Sequence, residues 1–213
     1  YKEMWFTKET IINALALLGW STENEIFSID ELIESFKLEN VQKAAAVFDL
    51  KRFNWVSSQQ LAKLDENSFF EVIKPFMKDE DISEDYPNYK KILLAMRTSK
   101  TNLKDIAHAT RPFFFELDGY DEKGVKKFLN ESLETLTFAL EVLSKVAEWN
   151  ETELDMALIK VRDYFNLPIP KVNQPMRIAL VGSTVSPSLG LTLELFGKEK
   201  SLERIQKAID FIS

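Results

Sequence analysis

The residues with the most chemical potential lie between Gln174 and Lys200, in QPMRIALVGSTVSPSLGLTLELFGKEK. An apolar run, then Gly-Ser-Thr, then Gly-Lys has the outline of a strand feeding a phosphate loop. That loop requires Gly-x4-Gly-Lys-Ser/Thr, because its glycine N–H groups cradle phosphate and its hydroxyl holds magnesium. Here Thr192 stands at the first glycine position and Glu199 at the hydroxyl position, so two defining residues fail. No Gly-x-Gly-x-x-Gly and no Gly-x-Ser-x-Gly occurs either. His108 is the only histidine, and no serine is marked as its partner for a nucleophilic triad. One histidine and no cysteine leave no basis for a zinc site. The acids of Asp79–Asp85 lack the glycine and ligand spacing of a calcium loop. The sequence therefore offers no catalytic and no metal-binding constellation.

Recognition is the other chemistry these residues can support. Pro175 suits the first turn of a helix and Gly182 the position just past its end, so MRIALV reads as a helix of about two turns. The grammar repeats: Ser186 can cap, Pro187 takes the first helical position, and Gly197 closes after Phe196. The amino end of the second helix would present unpaired backbone N–H groups and the positive end of a dipole. Arg177 adds a planar donor fork and Leu189 an apolar contact. Such mixtures of donors and flat contacts read the splayed bases of single-stranded RNA. Two capped core helices without a ligand are the alternative, and the residues leave it open.

Charge is consistent with a localised polyanion contact. The net charge of −7 taken whole opposes one. Residues 1–159, however, hold 19 Lys/Arg against 29 Asp/Glu, and residues 160–213 hold 8 against 5. Two stretches are free of acids: Pro87–Lys104, with Lys90, Lys91, Arg97, Lys100 and Lys104, and Asn166–Leu193, with Lys171 and Arg177. Confined basic segments on an acidic chain can hold a polyanion locally while the remaining surface repels it. Chance clustering on solvated helix faces is the competing explanation. The 213 residues, 45% apolar and 29% charged, suit a globular chain of one or two domains. No apolar stretch is long enough to span a bilayer.

The elements that must position these residues read as short, well-punctuated helices. Thr7 caps a helix with Ile11, Ile12, Leu15 and Leu18 as its apolar face, stopped by Gly19. Ser28 with Glu31 makes a capping box for a helix through Phe36. Asp49 starts a short helix with Leu50, Phe53 and Val56; Ser57 with Gln60 caps the next, and Ser68 with Glu71 another that ends near Pro75. Tyr89–Met96 is a helix, and Thr101 caps one ended by Arg111-Pro112. Asp121 starts a helix to Phe128. Leu133, Leu136, Leu140, Leu143 and Val146 share one helical face. Asn150 with Glu153 caps a helix bearing Leu154, Leu158, Val161 and Phe165. NLPIPKVNQP reads as a connector, and Leu202, Ile205, Ala208, Ile209 and Ile212 face the core in the last helix. No alternating pattern is sustained, so the expected fold is all-α.

The same segments resemble a known family. INALALLGW (from Ile12), EIFSIDELIESFKLENV (from Glu25) and AVFDLKRFNW (from Ala46) resemble the segment that follows the active site in bacterial glutamyl-tRNA synthetases. KPFM, AMRTSKTNLKDIA and QPMRIALVGSTVSPSLGLTLELFGKEKSLERI resemble the anticodon-binding part of that family. The resemblance runs from about Thr10 to the end.

It implies a stem-contact-like helical region over 1–64, followed by a two-part helical anticodon-binding domain over 65–119 and 120–213. It places Arg177, Ser186, Pro187 and Leu189 at the anticodon. Some members carry a discriminating arginine at the position of Ser99, flanked here by Arg97 and Lys100. Lys90, Lys91 and Lys104 are the candidate phosphate contacts. SSQQ (Ser57–Gln60) lacks the family's usual Asn and Tyr after the tryptophan. The implied partner is tRNA for glutamate, with tRNA for glutamine as a second candidate. The implied protein is a cytoplasmic monomer with no membrane contact. The nucleotide-binding motifs of a class I synthetase, His-Ile-Gly-His-like and Lys-Met-Ser-Lys-Ser-like, do not occur. The resemblance thus implies a part whose parent, glutamate–tRNA ligase, uses ATP and magnesium elsewhere. By itself this part would hold no cofactor and form no glutamyl-adenylate. A helical protein-interaction scaffold without RNA binding is the rival expectation.

Overall fold

The computed structural model describes residues 6–20, 22, 24–42 and 47–213. The fold is all-α, as expected; among the described residues the only β pairing is an isolated antiparallel bridge between Trp20 and Val41. The chain forms two compact units, Tyr1–Thr110 and Arg111–Ser213.

The first unit contains α1 (Lys8–Gly19), α2 (Ile29–Ser35), α3 (Leu50–Lys63), α4 (Glu66–Asp79), α5 (Tyr89–Met96) and α6 (Leu103–Thr110). Thr7 caps α1, Ser28 and Glu31 form the capping box of α2, and Asp49 caps α3. The buried side of α1 differs from the expected one. Thr10, Asn13 and Ala14 face inward, while Leu15 is 50% exposed. The reason is a buried amide network. Asn13 Nδ2 donates to the Glu25 carbonyl (2.9 Å), and Gln60 Nε2 donates to Asn13 Oδ1 (2.7 Å) and to the Phe27 carbonyl (2.8 Å). These bonds fasten the 25–27 segment between α1 and α3, a tie that apolar periodicity cannot reveal.

Three further expectations are corrected in this unit. Ser57 starts no helix. It lies inside α3, where its hydroxyl donates to the Thr101 carbonyl. Asp65, not Ser68, caps α4, and the helix continues through Pro75, which lies on its exposed face. There the carbonyl that proline leaves unpaired can meet water. Asn102 rather than Thr101 caps α6, accepting from the Asp105 N–H (2.8 Å). Phe69, Ile73, Met77, Ile92, Leu93, Met96 and Ile106 bury the facing sides of α4, α5 and α6.

The second unit contains α7 (Glu122–Gly124), continued by a π turn over Val125–Leu129, then α8 (Leu133–Ser144), α9 (Glu151–Phe165), α10 (Ile169–Val181), α11 (Leu189–Phe196) and α12 (Lys198–Ile212). Its core joins Leu136, Leu143, Leu154, Val161, Met176, Leu180, Leu193, Ile205 and their neighbours. Phe113 stacks on Phe196 (4.7 Å), so the segment after Thr110 packs with this core. The proline-rich connector is also shorter than expected. Pro168 is the N-cap of α10, which runs through Pro170 near its first turn and through the buried Pro175. Arg204 is 1% exposed on α12. It donates to the Leu180 carbonyl (2.5 Å) and the Phe115 carbonyl (2.7 Å) and lies 4.5 Å from the Phe196 ring centroid.

Candidate nucleic-acid interface

The opening stretch forms the end of α10, a loop, α11 and the start of α12. Gly182 ends α10 with φ +72°, the left-handed geometry that glycine adopts at little cost. Its carbonyl accepts from the Asp121 N–H (2.8 Å), and a Cβ at this position would lie 2.8 Å from the Gly119 carbonyl. The loop is therefore anchored at its first residue.

Arg177 anchors it at the other end. Its Nε donates to Ser186 Oγ (3.1 Å) and its Nη2 to the Pro187 carbonyl (3.2 Å). Ser186 Oγ also lies 3.1 Å from Thr192 Oγ1. Burial holds the Arg177 guanidinium below its usual range, but it remains a cation at neutral pH. Two of its five N–H groups are thus turned onto its own loop, and the remaining edge is available for a base or phosphate. These bonds bring Arg177, Ser186 and Pro187 together. Leu189 is not presented with them: it is 2% exposed and packs in the core. Val185, at the loop's tip, is the exposed apolar residue instead. Its sequence context of Ser and Thr carries no signal of that role.

The amino end of α11 departs from expectation. Ser188, not Ser186, is its N-cap, and Pro187 lies before the helix. The Gly190 N–H donates to Asp155 Oδ1 (3.2 Å), the Leu191 N–H to Ser188 Oγ (3.4 Å), and the Ser188 hydroxyl to Glu151 Oε1. In return the Glu151 N–H at the start of α9 donates to Glu194 Oε2 (2.7 Å). Side chains of α9 and α11 thus cap each other's amino ends, so the positive end of α11 faces carboxylates. Desolvation and the neighbouring Glu151 push the Asp155 carboxyl above its ordinary range, opposed by the Gly190 N–H.

In the first unit the basic segment forms α5, a turn and the start of α6. Lys90, Lys91 and Lys104 are exposed, and Lys90 Nζ lies 5.4 Å from the Phe70 ring centroid. Arg97 points inward. It donates to the Leu61 carbonyl (2.6 Å), the Ala62 carbonyl (2.6 Å) and the Leu64 carbonyl, over the face of Phe69. It therefore caps the carboxyl end of α3 from another helix, a role that a basic run in sequence does not disclose. Ser99 Oγ is buried with no hydrogen-bond partner, and Lys100 is half-buried. Among the described residues no three His, Cys, Asp or Glu side chains converge on a point that could hold a metal ion. Among the described residues no helix is long and apolar enough to cross a membrane.

A family model described as "Anticodon binding domain" matches residues 57–209. Over its whole length the chain is 33% identical to "Glutamate--tRNA ligase 2" of Thermoanaerobacter pseudethanolicus, covering 46% of that protein. Over 99% of its length it is 31% identical to "Glutamate--tRNA ligase" of Thermodesulfovibrio yellowstonii, covering 47%. The chain thus spans about half the length of the curated relatives it matches. A crystal structure of a glutamate tRNA ligase from Elizabethkingia meningosepticum, in complex with its amino acid, superposes with a TM-score of 0.79 at 28% identity, over 100% of this chain and 43% of that one. With the model matching both the α5–α6 basic segment and the Arg177 loop, the chain belongs to the anticodon-binding domain family.

Proposed function

We propose that this chain is the tRNA-recognition part of a bacterial glutamate–tRNA ligase. Its task is to hold the anticodon arm so that the acceptor end reaches a catalytic region formed by other residues of that ligase. The observation that carries this reading is the family match over 57–209 together with full-length similarity to glutamate–tRNA ligases. In this reading ATP and magnesium serve the catalytic region and no step of the chemistry falls to the residues described here. A monomer in the cytoplasm, with residues 1–64 facing the tRNA stem and the anticodon domain divided into the parts before and after Thr110, completes the proposal.

The Arg177 clasp sets the geometry of recognition. It fixes Ser186 and Pro187, presents Val185, and leaves a guanidinium edge for a base. Lys90, Lys91 and Lys104 supply charge to phosphates. Arg97 positions α5 against α3, leaving Ser99 and Lys100 beside the third anticodon base. A serine there cannot form the bidentate contact of an arginine, so tRNA for glutamine is a second substrate of this proposal.

The test is a salt-dependent titration of the chain with glutamate tRNA and with an anticodon-swapped version. Each phosphate contact should contribute a slope of about −0.7 to −0.9 in log affinity against log salt. Arg177→Ala should weaken the cognate tRNA by about 1–3 kcal/mol and the swapped one by less. Equal losses for both would remove the base-reading role; no RNA binding at low salt would favour a protein scaffold.

A further inference from the structure

The stretch after the 25–27 segment has no core of its own. From residue 28 to residue 50 no described residue is buried. Helix α2, seven residues long, buries none of its side chains, although Ile29 and Ile33 stand one turn apart on a single face. A helix this short is marginal in water unless an apolar face packs against something. Ile33 is 70% exposed, and Leu38, in the turn after α2, is 77% exposed. The apolar surface continues around Trp20. Its ring centroid lies 5.7 Å from that of Phe36, and it pairs with Val41 in the isolated bridge. With Phe48 it lines a cavity of about 440 Å³. Trp20 is 6% exposed, and its indole Nε1 is buried without a hydrogen-bond partner. A buried donor left unmatched carries a cost that an acceptor brought to it removes.

Charge decides what covers this face. Residues 25–41 hold five acids, Glu25, Asp30, Glu31, Glu34 and Glu39, against Lys37 alone. Glu25 is paired with Arg52 (2.7 Å), and the other four are exposed. Such a rim repels phosphate, and two copies of the same face would set acid against acid. A protein surface with an apolar centre and a basic edge complements it. More than half of each curated relative lies outside the part that this chain matches. We infer, on the basis of the proposed function, that the face formed by α2, the turn after it and the Trp20 cavity docks against that remaining part of the same ligase. The docked surface is an apolar patch edged with lysine or arginine. The stem contact of residues 1–64 then lies on another side of the region. This side fixes the recognition part to the catalytic part, so that a tRNA held at its anticodon is also placed at its acceptor end.

Hydroxyl-radical footprinting of the full-length ligase, beside this chain alone, provides the test. Ile33, Phe36 and Leu38 should label fast in the chain and about tenfold more slowly in the ligase, the contrast between open and core-packed side chains. In the ligase, Ile33→Asp and Leu38→Asp should each restore fast labelling of Phe36 and lower the rate of glutamylation. In the chain alone the same variants should keep the melting temperature and the tRNA affinity, because neither side chain is buried there. Equal labelling in chain and ligase would overturn the dock. So would protection in the chain alone that grows with its concentration, which assigns the face to a second copy, or that appears on adding tRNA, which assigns it to RNA. Protection in the ligase with no anticodon preference in the tRNA titration would overturn the proposed function and leave the dock standing; anticodon preference without protection would do the reverse.

Discussion

Arg204→Met tests how a buried cation without a carboxylate partner contributes to this fold. The substitution strands the Leu180 carbonyl, which is fully buried, and the partly buried Phe115 carbonyl. An unsatisfied buried acceptor costs about 1–3 kcal/mol, and a partly wetted one about 1 kcal/mol. Loss of the guanidinium from the Phe196 ring face removes up to about 2 kcal/mol. The opposing effect is desolvation. Burial pushes the Arg204 guanidinium down to about 10, and its Nε is buried without a partner. Relative to an ordinary arginine that is about 3 kcal/mol of unfavourable burial that methionine avoids. The stranded carbonyls and lost ring contact outweigh it, leaving a net loss of about 2 kcal/mol. In a unit of this size that lowers the melting temperature by about 10 °C. Arg204→Lys should be at least as destabilised, because a point charge cannot span both carbonyls. The assay is thermal unfolding with urea titration as a check. A methionine variant as stable as the parent, or more so, would refute the reasoning and show that desolvation dominates.

Two other predictions concern the α9–α11 contact. A Cβ at Gly190 would lie 2.5 Å from Asp155 Oδ1 and 2.7 Å from the Glu151 carbonyl. Overpacking of about 1–3 kcal/mol should exceed the helix-propensity gain of about 1 kcal/mol, so Gly190→Ala should lower stability in urea unfolding; a more stable variant would mean the helices are not in close contact. Asp155→Asn should be more stable than the parent at pH 7. The folded Asp155 carboxyl binds its proton more tightly than in the unfolded chain, so stability is lost as pH rises past the ordinary value of 3.8 and through the raised folded value. The advantage of asparagine should shrink as pH falls back through that range; an advantage independent of pH would exclude the charge as its cause.

Much of the punctuation was legible because it is local. Thr7, Ser28 with Glu31, Asp49 and Asn150 each cap the helix they precede, through a side chain reaching an N–H two or three residues on. Gly182 and Gly197 end their helices with positive φ, which glycine adopts more readily than any other residue. The misread residues are those whose role depends on distant chain. Ser57 has the type of a cap but bonds to the carbonyl of Thr101, and Pro175 has the type of a helix start but lies buried within α10. A residue's cap or breaker propensity is a weak prior that tertiary packing overrides.

The sequence by itself determined the all-α class, most helix ends, the two basic segments and the family resemblance, because each follows from residue type and short-range spacing. Only the tertiary structure decided where the donors point. Arg97 caps α3 and Arg177 clasps its own loop. Leu189 is sealed in the core, and the α11 amino end is occupied by Asp155 and Glu151. Meanwhile the α8 amino end, unremarkable in sequence, stays uncapped. A guanidinium or helix end has the same donors in any context. Which acceptors lie within about 3 Å of them depends on how helices remote in sequence pack, and that distance separates a structural clasp from a binding site.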